Sequence, residues 1–284
     1  MHALPFVIAL ALAALLAPPL LRMLHDGGHV RLNYRDRPLP HPFGVLVLAA
    51  ALFALIPLAT IQRLGSGDVF HAEILPIALY ALGVLALGLL DDTLGAAPHA
   101  GADRVPEPRG WRGHGAALAG GRLSTGVVKA GGSLGLALLA MSLLGLSEGR
   151  WLLAVAVLVL ATNVFNLLDL RPGRAAKAFV ALGAGLTVGT GELRPLWALG
   201  LFAAPALVAG GYDLRERAML GDTGANLLGA LAGLWLVMAL SGTGQLVALG
   251  LLAAITIYGE LRSISGFIER TPGLRELDSW GRPS

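Results

Sequence analysis

The sequence contains no cysteine, so the chain has no disulfide, no thiolate nucleophile and no cysteine-ligated zinc or iron–sulfur site. Charge is also scarce, because only 14% of the 284 residues are Asp, Glu, Lys or Arg, and aromatic residues make up 6%. Hydrophobic residues reach 55% and the mean hydropathy is +0.71, far from the balance of a soluble globular domain. Any chemistry must therefore use oxygen and nitrogen groups in a protein surrounded mainly by lipid.

Long apolar runs divide the chain into candidate membrane helices. An α-helix needs about 20 apolar residues to cross the hydrocarbon core of a bilayer. Read with that length, the sequence predicts an all-α polytopic membrane protein with about nine transmembrane helices. They cover approximately residues 4–21, 44–62, 73–90, 128–146, 151–168, 175–190, 195–211, 224–240 and 246–262. The first run lacks a preceding basic segment and is followed directly by Arg22, so we expect an uncleaved first span.

Positive charge is concentrated in alternate loops. With the N-terminus outside, 18 of the 21 Lys and Arg residues lie on the inner side, and only Arg63, Arg150 and Arg194 lie outside. Basic residues gather on the cytoplasmic side of membrane proteins, so this bias predicts an outer N-terminus and a cytoplasmic C-terminus. We therefore expect a multi-pass protein of the plasma (inner) membrane.

The chain is predicted to have a transmembrane domain, residues 1–262, and a cytoplasmic tail, residues 263–284. External connections are short, whereas the internal loop from Asp91 to about Gly126 is long, so function should lie on the cytoplasmic face. Apolar residues alternate with charges in the tail, which favours a segment lying on lipid headgroups; a disordered tail is the alternative. Helix-packing contacts are expected at three small-xxx-small pairs: Gly131/Gly135, Gly185/Gly189 and Gly229/Gly233.

Two adjacent carboxylates, Asp91 and Asp92, end an otherwise apolar third span. Hard cations such as Mg²⁺ take carboxylate oxygens, so this pair predicts a magnesium or phosphate site. The alternative is the start of a solvated loop.

A second polar group ends the fifth span, where Asn163 and Asn166 share a helix face and Asp169 follows them. Polar residues in or beside a membrane helix are costly and usually serve a cavity, a partner or a substrate. Helix packing is the alternative for the two asparagines.

A further carboxylate, Asp222, lies between Gly221 and Gly224 just before the eighth span. Glycines permit close backbone approach at such a position. Capping of the following helix by Thr223 is the alternative reading. Capping does not explain why a fourth carboxylate occurs at the membrane level of Asp91, Asp92 and Asp169, so we expect these groups to form one site.

Three motifs carry a resemblance to a known family: LLDDTLG at 89–95, NVFNLLD at 163–169 and MLGDTGAN at 219–226. Taken together, in this order and on the predicted inner face, they resemble the polyprenyl-phosphate N-acetylhexosamine-1-phosphate transferases. That family includes the enzyme of the first membrane step in peptidoglycan synthesis. The resemblance covers roughly residues 20–262.

The resemblance implies transfer of a sugar-1-phosphate from a UDP-sugar to an undecaprenyl-type polyprenyl phosphate, with release of UMP and a requirement for Mg²⁺. It also implies that Asp222 is a metal ligand. Asp91 and Asp92 would lie at the reacting phosphates, one of them orienting or deprotonating the lipid phosphate. The expected partners are the lipid phosphate, the UDP-sugar and membrane lipid; a homodimer is one expected assembly, and no nucleic acid is expected.

The remaining predicted site residues would hold metal, nucleotide or phosphate. By the same resemblance, Asp169 and Asn166 would help to hold the metal or the nucleotide, and Asn163 is assigned with them to the substrate site. Lys129, in STGVVK at the start of the fourth span, would bind a phosphate. A lysine that extends its charged end toward the membrane surface is the alternative.

The sequence departs from the family pattern at two places. Where the family usually continues as Gly-Leu-Asp-Gly, this chain has Leu170-Arg171-Pro172-Gly173, so one family carboxylate is missing. The family also has a histidine-rich cytoplasmic loop before a tenth span, whereas the tail after Arg262 contains no histidine and no further apolar run. The histidines of the other internal loops are expected to be solvated and to replace nothing: His25, His29, His41, His99 and His114.

The segment RPGRAAK at 171–177 is a candidate compensation for these losses. Pro172 and Gly173 suit the start of a helix, whose N-terminus favours anions. Arg174 and Lys177 would project from one face of that helix, with Arg171 before them, so we expect the segment to grip a diphosphate or lipid phosphate. Anchoring to anionic lipid is the alternative.

Two other function classes fit part of the pattern. A non-catalytic relative would bind lipid phosphate or nucleotide and act as a regulator or partner in envelope assembly, which the missing histidine loop favours. A transporter would place its charges at mid-membrane, whereas these charges cluster at one face.

Overall fold

The computed structural model describes residues 1–65, 67–95, 113, 120–121 and 124–283. Long helices dominate this part of the chain. In chain order they are α1 (Leu4–Asp26), α2 (Val45–Leu64), α3 (Ile74–Leu94), α4 (Thr125–Ser142), α5 (Glu148–Leu168), α6 (Arg174–Thr190), α7 (Arg194–Ala198), α8 (Gly200–Leu214), α9 (Gly221–Ala239), α10 (Gly242–Leu261), α11 (Ile264–Arg270) and α12 (Leu274–Ser279). Between α1 and α2, the strands β1 (Val30–Leu32) and β2 (Pro38–Pro40) pair antiparallel, with Arg31 opposite Leu39.

Seven of the described helices are long and apolar enough to cross a membrane: α1 to α5, α9 and α10. They coincide with seven of the predicted spans, so the prediction of an all-α polytopic membrane protein is confirmed. The other two predicted spans correspond to α6, which has 17 residues, and to α7 and α8 together, which are separated at Leu199. The count of nine and the orientation stay predictions.

Helix α9 forms the centre of the bundle. Its most apolar window is 83% buried, against 22% to 44% for the other candidate spans. Two glycines bring it close to α5, because a Cβ at Gly229 would lie 2.6 Å from Thr162 Cα and one at Gly233 would lie 3.0 Å from Leu158 Cα. The packing role is thus confirmed for this pair.

The other two glycine pairs do not pack as predicted. A Cβ added at Gly131, Gly135, Gly185 or Gly189 would meet nothing within 4 Å. These glycines lie on open surfaces of α4 and α6, because the small-xxx-small spacing specifies a smooth helix face but not the helix that covers it.

Charged and polar residues collect at one end of the bundle, which we call the charged end. There α3, α5, α8 and α10 finish, and α4, α6 and α9 begin. Hydrogen bonds join these termini directly, for example from the Asp222 amide to the Asp92 carboxylate at 3.0 Å. Arg194 and Glu73 form an ion pair between helix starts at the opposite end.

The tail is helical and docked on the charged end, so the disordered alternative is wrong. Ser263 caps α11 by accepting a hydrogen bond from the Gly266 amide at 3.1 Å. The side chain of Asp278 in α12 is 10% exposed because it packs against Arg174 and Arg282. Whether the tail lies on lipid headgroups stays a prediction.

Candidate functional site

Three predicted site residues from three helices converge at the charged end. Asp91 lies in the last turn of α3, Lys129 near the start of α4 and Asp222 in the first turn of α9. The Lys129 ammonium donates to the Asp91 carboxylate at 2.8 Å and also to the Asp222 carboxylate. The side chains of Asp91 and Lys129 are each 20% exposed, so this group is shielded but reachable from solvent.

Asp92 has different surroundings from its neighbour. Its side chain is 2% exposed and accepts hydrogen bonds from the amides of Asp222 and Thr223, at 3.0 and 2.8 Å, and from the Thr223 hydroxyl at 2.6 Å. Unpaired amides at a helix N-terminus favour an anion, so Asp92 of α3 caps α9. Thr223 is therefore not the cap considered from sequence. These contacts give Asp92 a positioning role, and its predicted part in the chemistry gains no support from them.

His41 departs from the prediction of solvated loop histidines, whereas His25 and His29 are exposed as predicted, and His99 and His114 lie outside the described residues. It is 7% exposed, and its Nε2 lies 3.2 Å from Asp92 Oδ1. The sequence did not indicate this contact between His41 and Asp92. His41 lies between two prolines in a loop, and tertiary contacts bring that loop to the site. The Phe43 and Gly44 amides donate to the carbonyls of Met219 and Leu220, which hold that loop against the start of α9.

A carboxylate that the sequence analysis did not single out organises two more loops. Asp213 is 5% exposed and accepts hydrogen bonds from the Gly173 amide at 2.6 Å and the Leu220 amide at 3.2 Å. It therefore ties the loop after α5 to the loop before α9. Nothing in the sequence singled out Asp213, because it lies near the end of the apolar helix α8 and belongs to none of the three motifs.

Asp169 lies just after α5 among these carboxylates. Burial raises the pKa of Asp169 well above its ordinary value, and the neighbouring charges of Asp213, Asp222 and Asp92 raise it further. The predicted clustering of four carboxylates at one level is therefore observed, with Asp213 as a fifth.

Two cavities open beside the Lys129, Asp91 and Asp222 cluster: the first is lined by Asp91 and Lys129, and the second by Asp222. The first, of about 420 Å³, extends between α3, α4, α5 and α9. Its polar lining consists of Asp91, Thr125, Lys129, Ser133, Thr162, Asn163, Asn166, Asn226 and Glu260. Both predicted asparagines of α5 thus face it, although Asn163 also donates to the Thr256 hydroxyl at 3.3 Å.

The second cavity, of about 160 Å³, is lined by Asp222 and by the loops around it. Its acidic lining is Asp92, Asp169, Asp213 and Asp222, and its other polar lining includes Arg31, Asn33, Tyr34, His41 and Arg171. The Arg171 guanidinium lies 4.7 Å from the centre of the Tyr34 ring and pairs with Glu269 at 3.2 Å. The lining of this cavity thus combines acidic side chains with cationic and aromatic ones.

Arg174 and Lys177 are used differently from the prediction. Arg174 is 5% exposed and makes a bidentate pair with Asp278 at 2.8 and 2.9 Å, while its third nitrogen donates to the Ser265 hydroxyl at 2.9 Å. Lys177 donates to the carbonyl oxygens of Leu277, Asp278 and Trp280. Both cations therefore hold the tail in this structure, through the Asp278 carboxylate and the carbonyl oxygens of the tail. Arg171 remains at the second cavity.

The donor set suits a hard cation, although the described residues include no group of three His, Asp or Glu side chains arranged as a metal site. Asp91 and Asp222 direct carboxylate oxygens at one cationic centre, the Lys129 nitrogen. Carboxylate oxygens are the preferred ligands of Mg²⁺. The predicted metal role of Asp222 is chemically consistent with this geometry and stays a prediction.

Comparison with models of known protein families gives no match, and comparison with curated proteins gives no significant match either. The chemistry of the site therefore rests on its own geometry. A half-buried lysine between two carboxylates, beside a cavity, can contact phosphate groups, and the carboxylates can hold a cation that neutralises charge during phosphate transfer.

Proposed function

We propose that this protein transfers a sugar-1-phosphate from a UDP-sugar to a lipid phosphate of the polyprenyl type, releasing UMP, at the cytoplasmic face of the plasma membrane. The observation that carries the proposal is the cluster of Lys129, Asp91 and Asp222, with one cavity lined by Lys129 and Asp91 and a second cavity lined by Asp222. Two substrates that exchange a phosphoryl group need two spaces that reach one charged centre. The motif resemblance described above supplies the reaction class.

The two cavities suggest a division of substrates. The first combines the polar group around Lys129 with apolar side chains of membrane-spanning helices, among them Val84, Leu87 and Val159, which suits a lipid phosphate. The second carries Arg31, Arg171 and Tyr34, which suit the diphosphate and the base of a nucleotide. Lys129 would contact phosphate oxygens from either side.

Asp222 and Asp91 would hold Mg²⁺, which supplies charge neutralisation and alignment of the phosphates when it is bound. Binding would require the Lys129 ammonium to move from its carboxylate partners to a phosphate. Asp92 and Asp213 would keep the start of α9 in place during this exchange, because they bind its backbone amides.

A second candidate is a non-catalytic protein that binds lipid phosphate or nucleotide and regulates an envelope-assembly complex. The engagement of Arg174 and Lys177 by the tail favours it, because these two cations are then withdrawn from substrate.

Purified protein incubated with Mg²⁺, polyprenyl phosphate and a panel of UDP-sugars should release UMP and form a lipid-linked sugar diphosphate. Asp222→Asn should lower the rate by about 100-fold or more, because one of the two carboxylates proposed to hold Mg²⁺ is removed. Asp26→Asn is the matched control, since Asp26 is exposed at the charged end and contacts only His25. Parental turnover in Asp222→Asn contradicts the assignment, and absence of UMP with every sugar favours the non-catalytic candidate.

A further inference from the structure

The tail contacts both loops that line the second cavity. One is the turn of the β1–β2 hairpin and the other is the loop between α5 and α6; the residues that they present to the cavity include Asn33, Tyr34, Arg171 and Pro172. The Arg35 guanidinium of the hairpin turn donates to the Pro283 carbonyl at 3.2 Å. The Arg282 guanidinium donates to the Pro172 carbonyl of the α5–α6 loop at 2.8 Å. Arg282 and Pro283 therefore bridge two walls of this cavity.

Arg282 joins the α5–α6 loop to the acidic centre of the tail. Its side chain is buried, and while one nitrogen donates to the Pro172 carbonyl, another donates to the Asp278 carboxylate at 2.8 Å. Asp278 in turn holds Arg174, the first residue of α6. On the cavity side, Asp213 holds the backbone amide that follows Pro172. The loop is thus fixed from both sides, and one of the two sides is the docked tail.

Close packing accompanies these hydrogen bonds. The Leu214 side chain, at the end of α8, lies between the loop and the tail. A Cβ at Gly281 of the tail would lie 3.2 Å from it, and one at Gly173 of the loop would clash with it. Because such packing leaves little free space, displacement of the tail changes the surroundings of the loop.

A ligand in the second cavity would bridge the same two loops. The proposed function places the diphosphate and the base of a UDP-sugar beside Arg171 of one loop and Tyr34 of the other. Ordering the loops costs conformational entropy, and once the docked tail has ordered them, a ligand binds at a smaller cost. The coupling is reciprocal, so a bound ligand strengthens docking of the tail to the same extent.

We infer that Arg282 and Asp278 are positioning residues of the nucleotide site: they dock the tail across the second cavity, and the docked tail and bound UDP stabilise each other. The inference rests on the proposed function, which places the nucleotide in this cavity. Simple electrostatics gives the opposite expectation for Asp278, which is not part of the cavity lining, because loss of a nearby negative charge favours an anionic ligand. The sign of the effect at Asp278 therefore separates docking from charge.

The test measures binding of UDP, with Mg²⁺, to the purified full chain in detergent by isothermal titration calorimetry. Hydrogen–deuterium exchange of residues 263–283 is followed in the same samples. UDP should slow exchange of the tail severalfold and leave the loop at 191–193, at the opposite end of the bundle, unchanged. Asp278→Asn should weaken UDP binding by about tenfold and remove the effect of UDP on the tail.

Arg282→Gln is the second variant and should weaken UDP binding to a similar degree. Arg275→Gln is its matched control, because Arg275 is exposed on the tail and pairs with its neighbour Glu276. Asp26→Asn, at the exposed Asp26 of the charged end, is the control for Asp278→Asn. Both controls should bind UDP like the parent.

Three results overturn the inference. They are binding of UDP to Asp278→Asn that equals or exceeds parental binding, tail exchange that does not respond to UDP, and absence of UDP binding to the parent. A general loss of folding would not mimic the expected kinetics, in which Arg282→Gln raises the KM for the UDP-sugar and leaves the KM for the lipid phosphate unchanged.

Turnover separates this inference from the proposed function. If UMP is released while tail exchange is indifferent to UDP, the inference fails and the function stands. If UDP slows tail exchange in the parent but not in Asp278→Asn, while no lipid supports UMP release, the transferase proposal fails and the link between nucleotide and tail stands.

Discussion

At the scale of single residues, Asp91 and Asp92 show how far a motif can be interpreted without a structure. The pair is adjacent in sequence, yet one side chain faces a lysine and the other caps a helix. Successive residues of a helix point about 100° apart, so an acidic pair at a helix end commonly divides between two environments. Sequence alone could predict that carboxylates gather at this level, but not which of them is taken by backbone amides.

Asp92→Asn is expected to destabilise the protein by about 1–3 kcal/mol. Both oxygens of the Asp92 carboxylate accept hydrogen bonds, and in asparagine one of them is replaced by an NH₂ group, which cannot accept. Thermal unfolding in detergent measures the effect. Thr93→Val is the adjacent control, since the exposed Thr93 hydroxyl bonds only within its own helix. If Asp92→Asn unfolds at the parental temperature, the capping role is wrong.

At the scale of elements, the docked tail is the largest departure from what the sequence allowed us to predict. The RPGRAAK segment was correctly placed at the start of a helix, α6, but its partner was predicted as a substrate phosphate. That partner is Asp278, more than 100 residues away in sequence, and such a pairing has no local pattern. The tail contains both acidic and basic residues, so its composition did not distinguish docking on the helix bundle from binding to lipid headgroups.

Docking of the tail should depend on pH. Burial alone would raise the pKa of Asp278, but hydrogen bonds from Arg174 and Arg282 outweigh it and lower the pKa to about 2. Since the pKa of Asp278 is lower in the docked tail than in the undocked one, its ion pairs stabilise docking fully at pH values above its ordinary pKa of about 4. This stabilisation is lost as the pH falls from about 4 toward 2. Hydrogen–deuterium exchange of residues 263–283, corrected for intrinsic rates, should therefore rise across that interval.

Asp278→Asn should give rapid exchange of the tail already at pH 7, and so should Arg174→Lys, which keeps the charge but removes the bidentate contact. Glu269→Gln is the control, because the Glu269 side chain is 52% exposed and such surface pairs contribute little. Slow tail exchange in Arg174→Lys, combined with weakened substrate binding, would restore the predicted phosphate role of Arg174.

At the scale of the whole molecule, the length of the hydrophobic runs predicted most of the described long helices, and the orientation drawn from charge asymmetry stays a prediction. Seven predicted spans are helices of the required length, and α6 and the α7–α8 pair occupy the other two. The β1–β2 hairpin and the break at Leu199 were not predicted, because both depend on contacts with distant helices. The three motifs correctly indicated one end of the bundle. The cavity that contains Asn226 could not be inferred, since a single asparagine in an apolar helix does not reveal its neighbours.

The orientation can be tested on a chain that has no natural cysteine. Ser284→Cys should resist a membrane-impermeant thiol reagent in intact cells and react after permeabilisation, because the charged end is expected to be cytoplasmic. Glu192→Cys, exposed at the opposite end, should react in intact cells and serves as the control. The reverse pattern would place the site outside the cell.

The cap formed by Asp92 has a mechanical consequence. Because this carboxylate fixes the start of α9 to the end of α3, Asp91 and Asp222 belong to one rigid body. Lys129 reaches the same centre from α4, which also packs closely on α3, because a Cβ at Gly132 of α4 would lie 2.8 Å from the Leu87 side chain of α3. Helix packing thus fixes the spacing of the backbone around the site. A ligand that enters between Asp91 and Asp222 would displace only the flexible end of the Lys129 side chain.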